Sequence, residues 1–234
     1  MKRFLLFFYT LLIIIFSLSV TVMSGQNAAQ KVVNAFGCSQ EKALEFLMHC
    51  GNEIRLFQSS LELIASSETS AKNKAALKKL LINMMCEKEA RVLVSSTITS
   101  DTVFSYSIDE YLFHLSNLSA KYPYKSIELF FKSDYVNLVK LVKIKTNSTQ
   151  ECYDMLTTLR QYFAGFYKEH GAYYDQTDKN LRYIVSFDAK KNLSMRLKSI
   201  TIKETVKIGP DKYKAQKDLE FSRRQYRKLM AKKK

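Results

Sequence analysis

From Ser126 to Ile208 the chain shows hardly any helical periodicity. "SIELFF" and "YVNLVKLVKIK" flank "KSD", "CYDMLTTLRQYFAGFY" and "YYDQTDKNLRYIVSF" flank "KEHG", and "DAKKN" leads into "SMRLKSITIKETVKI". Each run is rich in β-branched and aromatic residues and ends at a polar turn cluster, the pattern of consecutive antiparallel hairpins. Gly171 supplies the positive φ that a tight turn requires. Glu169 and His170 therefore fall at a hairpin tip, and the stretch from Gln161 to Val185 reads as two strands, not a catalytic loop. Tyr173, Asp175, Thr177, Lys179, Leu181, Tyr183, Val185 and Phe187 alternate onto one face. Gln176, Asp178, Asn180 and Arg182 take the other.

A meander of about five strands must bury one face. The first third of the chain offers the partner. Ala43, Leu47, Cys50, Ile54, Phe57, Leu61 and Ile64 recur at spacings of four and three, giving one apolar stripe over Gln40–Ala65. "SSETS" interrupts it, and a second helix is expected over Ala71–Glu89. "ARVLVSSTI" turns extended. "SIDE" (Ser107–Glu110) has capping-box spacing and opens a short helix carrying His114 beside its apolar side. The predicted class is α+β, with N-terminal helices packed in a curved antiparallel β-sheet.

The ends differ from the body. Lys2 and Arg3 precede an apolar run from Phe4 to Phe16, with Val22 and Ser24 suited to a cleavage site. Residues 1–24 read as a signal peptide. The competing reading is an uncleaved anchor, since Phe4–Met23 approaches the ~20 residues of a bilayer span. Residues 25–39 read as a linker, 40–208 as the α+β domain and 209–234 as a basic tail. The formal net charge is +15, of which residues 211–234 hold +7 and the first 24 residues +2. Arg223, Arg224, Arg227, Lys228, Lys232, Lys233 and Lys234 are the candidates for contact with an anionic membrane or glycan surface. Nucleic acid is disfavoured, because no recognisable nucleic-acid module is present. The tail reads as too polar to add to the core, so a chain ending at Pro210 is expected to keep the fold.

Cys38, Cys50, Cys86 and Cys152 form no CxxC or His-rich spacing, so no metal site is expected, nor any cofactor. Cys50 lies on the apolar stripe and reads as a buried thiol; pairing among the four is left open. GxSxG, HExxH and phosphate-cradling glycine motifs are absent, and six glycines leave little room for them.

The long N-terminal helix, "ARVLVSST" before "SIDEYLFHLSNL", "QYFAGFY" before "YYDQTDKNLRYIV", and the closing "LKSITIKET" together resemble the nuclear transport factor two-like (cystatin-like) superfamily, and within it small exported proteins of Bacteroidetes. The resemblance spans about Gln40–Ile208. It implies a cone whose sheet and helices can enclose a pocket, in a superfamily holding isomerases and dehydratases beside non-catalytic scaffolds. Enzyme members place an Asp or His in that pocket, which makes Asp175, Lys179 and His114 the catalytic candidates. Asp175 and Lys179 are expected on the solvent side or mouth of the sheet. The favoured function is then an exported, non-catalytic binding or scaffolding domain of the cell envelope, with a protein partner or a second copy on the sheet face. The alternatives are a small-molecule isomerase or lyase, and a single-pass periplasmic scaffold subunit of a secretion system.

Overall fold

The computed structural model describes residues 26–87, 90–96, 102–118, 124–132, 137–144, 151–187 and 192–231. The expected leader, Lys232, Lys233, Lys234 and the turns at 145–150 and 188–191 lie outside them.

Helix α1 covers residues 26–36 and ends at Gly37, whose φ of 61° is the left-handed C-terminal stop that glycine adopts without strain. The segment read as a linker is therefore packed structure. Ala29 and Val32 are buried, and Phe36 meets Phe46, Tyr153 and Phe187 edge-on. Helix α2 (Gln40–Ala65) is capped by Ser39, which accepts from the Lys42 amide. Its buried stripe runs Ala43, Phe46, Cys50, Ile54, Phe57, Leu61 and Ile64, close to the spacing read from sequence. Helix α3 (Ala71–Asn83) starts at the Ser70 cap and stops six residues before the expected Glu89. A strand-like contact ends it. Leu197 donates to the Met84 carbonyl and accepts from the Cys86 amide, both at 2.8 Å, so Met85 is drawn into a parallel bridge with Leu197.

Strands β1 (Arg91–Ser96) and β2 (Thr102–Ser107) form a hairpin, and helix α4 (Ile108–Ser116) follows with the capping box of Ser107 and Glu110 in place. Strands β3 (Tyr124–Phe131), β4 (Asn137–Ile144), β5 (Glu151–Tyr167), β6 (Ala172–Phe187) and β7 (Leu193–Lys207) complete a seven-stranded sheet ordered β2-β1-β7-β6-β5-β3. Strand β4 pairs with the first half of β5 and β3 with its second half. All pairings are antiparallel except β1 with β7, which run parallel at Arg91–Ser199 and Val92–Ile200. The sheet is thus mixed within the α+β class. Gly171 has φ 89° at the β5–β6 turn, as its position demands.

Register irregularities between Asp178 and Lys179 and between Arg182 and Tyr183 interrupt the β6–β7 ladder. Such bulges bend a strand and sharpen its twist. The inner face of β5 and β6, carrying Tyr153, Met155, Leu159, Leu181, Tyr183 and Val185, closes on α2, α3 and α4 to form the main core.

The last segment is not a solvated tail. Residues Pro210–Ala231 form helix α5. It lies on the outer face of the sheet, where Tyr213 packs with Phe130, Tyr162, Ala164 and Ile208 in a second apolar cluster. Further along, Arg224 grips Glu62 of α2 with two nitrogens, at 2.7 and 2.8 Å, and Glu62 also accepts from the Phe131 amide. The buried contacts are Tyr213 and Glu220, while Leu219, Tyr226 and Leu229 face solvent.

Candidate functional site

The inner face of β6 does not stay apolar along its length. Tyr173, Asp175, Thr177 and Lys179 occupy four alternate positions, followed by Leu181 and Tyr183. Opposite them on β5 stand Phe163 (across from Asp175), Gln161 (across from Thr177) and Leu159 (across from Lys179). Helix α4 and the β1–β2 hairpin roof this patch and leave a cavity of about 140 Å³. Its wall includes Asp175, Thr177, Lys179, Tyr173, Gln161 and Phe163 from the sheet. Tyr111, His114 and Leu115 come from α4, and Val94, Ser95, Phe104 and Tyr106 from the hairpin. For scale, an apolar cavity of ~150 Å³ accommodates benzene.

Asp175, Lys179 and His114, the three residues singled out from the sequence, therefore share one cavity. Their setting departs from expectation in one respect. Asp175 and Lys179 are 7% and 6% exposed, not on the solvent side of the sheet. The face they share with Leu181, Tyr183 and Val185 is the one the helices cover. His114 is half-buried, with its ring 4.7 Å from that of Tyr106, which in turn stacks on Phe104.

The two charges are held in an environment that disfavours both. Burial pushes the Asp175 carboxyl up to about 6, although hydrogen bonds from Tyr173 and Thr177 and the nearby Lys179 charge pull the other way. Burial brings the Lys179 ammonium down to about 8 against the attraction of Asp175. The Lys179 Nζ lies 5.7 Å from the centre of the Tyr111 ring, near enough for a cation–π contact. Tyr111 and Tyr173 have phenol groups raised by burial, so both remain protonated donors at neutral pH.

A chain of hydroxyls backs the carboxylate. Thr177 Oγ1 donates to Asp175 Oδ1 at 3.4 Å, and Thr205 Oγ1 on β7 donates to Thr177 at 3.2 Å. Ser95 Oγ on β1 lies 2.5 Å from Thr205 Oγ1. Each hydroxyl has one proton. An ionised Asp175 can only accept, so Thr177 donates to it, Thr205 to Thr177, and Ser95 to Thr205. The chain runs from the middle of the sheet to β1, across the β1–β7 junction. Gln161 is buried on the same wall, and its Oε1 has no hydrogen-bond partner among the described residues.

Sequence reasoning did not find Gln161, Tyr173, Tyr111, Ser95 or Thr205 as site residues. Gln161 and Tyr173 had a usable signal, since both sit in the strand pair that carries Asp175. Ser95 and Thr205 had none, because their meeting depends on a parallel pairing between strands about a hundred residues apart.

The cavity wall also depends on Gly165. A Cβ placed there would lie 2.6 Å from Cζ of the buried Tyr124 ring, which lines the cavity. Gly165→Ala should push that ring into the cavity or spread β3 from β5, costing about 1–3 kcal/mol as overpacking does. Urea unfolding of the variant against wild type measures this, and an unchanged midpoint would mean the ring moves freely.

The tail candidates divide. Arg224 is committed to Glu62 and Glu220, and Arg223 and Arg227 each approach Glu220, at 3.9 and 3.4 Å. Lys228 is exposed. All four cysteines are free thiols, and burial raises that of Cys50 to about 12, consistent with an inert core role. No group of three His, Cys, Asp or Glu side chains able to hold a metal occurs among the described residues. No helix among them is long and apolar enough to cross a membrane.

The fold and site together define an α+β domain with a sheet-lined, roofed cavity holding a carboxylate and an ammonium. Its sequence matches no family model and no curated protein. Among solved structures it is similar to a nuclear transport factor two-like protein of unknown function from Exiguobacterium sp. 255-15, at 12% identity and a TM-score of 0.32 over 65% of this chain and 98% of that one. It is also similar to the Kfla4162 protein of Kribbella flavida, at 11% identity and a TM-score of 0.33 over 65% and 89% of the two chains. Scores this low add nothing to the argument from topology.

Proposed function

We propose that the cavity binds a small, ring-sized molecule bearing a carbonyl group and moves a proton on it, as an isomerase or lyase does. The observation that carries this is the buried pair. Asp175 and Lys179 are titratable groups on one cavity wall, one raised and one lowered toward neutrality. Environments that bring an acid and a base together in this way mark proton-transfer sites. A non-catalytic domain would be better served by a closed, apolar interior.

The roles follow from charge. At pH 7 Asp175 is mostly ionised and can take a proton from a carbon next to the carbonyl. The bond's electron pair moves to the carbonyl oxygen, giving an enolate. Lys179, still protonated, stabilises that oxyanion in a site screened from water. The proton then returns from Asp175 to a different carbon in an isomerase. In a lyase the enolate instead expels a group from the β carbon. Tyr173 and Thr177 hold the carboxylate in position, and the aromatic mouth of Phe104, Tyr106 and His114 suits an unsaturated ring.

A thermal-shift panel of small cyclic carbonyl compounds should identify ligands, and turnover is then followed on those that bind. The kcat/KM profile should be bell-shaped, rising near pH 6 as Asp175 ionises and falling near pH 8 as Lys179 loses its proton. Asp175→Asn should retain binding and lose at least 100-fold in kcat. Binding without any turnover would leave a carrier or sensor of small molecules in place of an enzyme. No shift with any compound would remove both.

A further inference from the structure

Helix α5 has two stripes, and the sheet uses only one of them. Tyr213, Lys217, Glu220, Arg224 and Arg227 recur at spacings of four and three. These are the residues that meet the sheet and α2: Tyr213 in the outer cluster, Lys217 on Glu128 at 2.6 Å, and Arg224 on Glu62. A second stripe of the same period, Ala215, Leu219, Ser222, Tyr226 and Leu229, is offset by two residues. At 3.6 residues per turn that offset is about 200°, so the second stripe lies opposite the docked one. It is open to solvent, with Leu219 43%, Tyr226 63% and Leu229 60% exposed, and Phe221 is exposed on its flank.

A solvated helix has no need of that stripe, and its surroundings say what covers it. Residues 211–231 hold seven Lys or Arg against three acidic residues. The acidic partner in the middle of the helix, Glu220, is buried on the docked side. Lys212, Lys214 and Lys228 are exposed around the outward stripe. A second copy of this chain would bring positive charge against positive charge. The stripe is also too apolar at its centre for a nucleic-acid contact, where cations and polar groups meet phosphate. An apolar face rimmed by lysines, on a helix too polar to span, matches a surface-lying membrane helix.

We propose that α5 is a membrane-surface helix: Tyr213 and Arg224 fasten one side to the domain, while Leu219, Tyr226 and Leu229 enter the headgroup region of an anionic bilayer. Lys212, Lys214 and Lys228 then sit at headgroup level, their stems along the apolar surface and their ammonium groups on the lipid phosphates. The site is independent of the cavity, so its failure would leave the proton-transfer reading untouched.

The chain contains no tryptophan, so Tyr226→Trp places a single reporter in the stripe of the full-length protein. With vesicles of phosphatidylglycerol and phosphatidylcholine, its emission should shift to the blue and be quenched by brominated acyl chains. Both effects should weaken steeply with salt, since exposed charges are screened within about 8 Å at physiological ionic strength. Adding Lys212→Gln, Lys214→Gln and Lys228→Gln should raise the lipid concentration needed by roughly 100-fold, at about 1 kcal/mol, or fivefold, per lysine. The reading is local to α5, so the apolar segment at Phe4–Phe16 does not contribute to it. Three results would each overturn the proposal: an unmoved emission, an equal response to pure phosphatidylcholine, or a response to an acidic polypeptide but not to vesicles.

Discussion

The double variant Asp175→Asn/Lys179→Met should unfold at a higher temperature than the wild-type protein at pH 7, by roughly 5–10 °C. The sign comes from linkage. Asp175 is raised from its ordinary value to about 6. Between about pH 4 and 6 the native state therefore holds a proton that the unfolded chain has released, and stability falls as pH rises through that window. Lys179 is lowered to about 8. Between about pH 8 and 10.5 the unfolded chain holds the extra proton, so stability recovers as pH rises there. At pH 7 both penalties are present. Each is bounded by about 3 kcal/mol at ~1.4 kcal/mol per unit, and the mutual attraction of the two groups is lost with them, so a net gain of about 3 kcal/mol is a fair expectation. For a chain of this size 1 kcal/mol moves Tm by about 2–4 °C. Single substitutions should gain less, because each leaves its partner buried without an opposite charge. Urea midpoints from pH 4 to 10 decide the matter. The wild type should show a trough centred near neutrality that the double variant lacks. A double variant less stable than wild type would show that the pair holds the fold together, and would remove the reason for assigning it chemistry.

A site that costs stability to keep is also hard to read in a sequence, and here the reading failed in a specific way. The alternation of β6 was legible, and Asp175, Thr177 and Lys179 were rightly grouped. What alternation cannot convey is which face the helices cover when both faces carry charge. The outer face has its own buried ion pair, Arg160 with Asp178 at 2.6 and 2.7 Å, so polarity alone did not separate inside from outside. The α2 stripe, the Ser107–Glu110 cap and the Gly171 turn were legible because each is a local pattern with one physical solution. The β1–β7 pairing was not, since nothing near Arg91 signals a partner at Ser199. Helix α5 was misjudged for another reason. It docks through one tyrosine and several ion pairs, and in a sequence those look the same as a solvated charged tail.

Deleting residues 211–234 should destabilise the domain by about 3 kcal/mol or more, against the sequence-based expectation that a chain ending at Pro210 keeps its stability. Tyr213 is buried, with its ring centre 5.3 Å from Phe130 and 5.0 Å from Tyr174. Phe130 in turn stacks on Tyr162 at 4.8 Å. Removing α5 opens that outer cluster to water and takes Arg224 away from Glu62, whose carboxylate is largely buried between α2 and β3. Losing one partner of a buried charge pair leaves the other uncompensated, at a cost of several kcal/mol. The ordering entropy of the helix, about 1–2 kcal/mol per residue, offsets part of this, so the net loss is far below the gross sum. Tyr213→Ala in the full-length chain isolates the packing share and should cost about 3 kcal/mol, the lower end for losing a buried aromatic side chain. The truncated chain should fall at or below that variant in urea, with Phe130 and Tyr162 newly accessible and a tendency to self-associate. A truncated chain with the wild-type midpoint would mean that α5 rests on the sheet without supporting it.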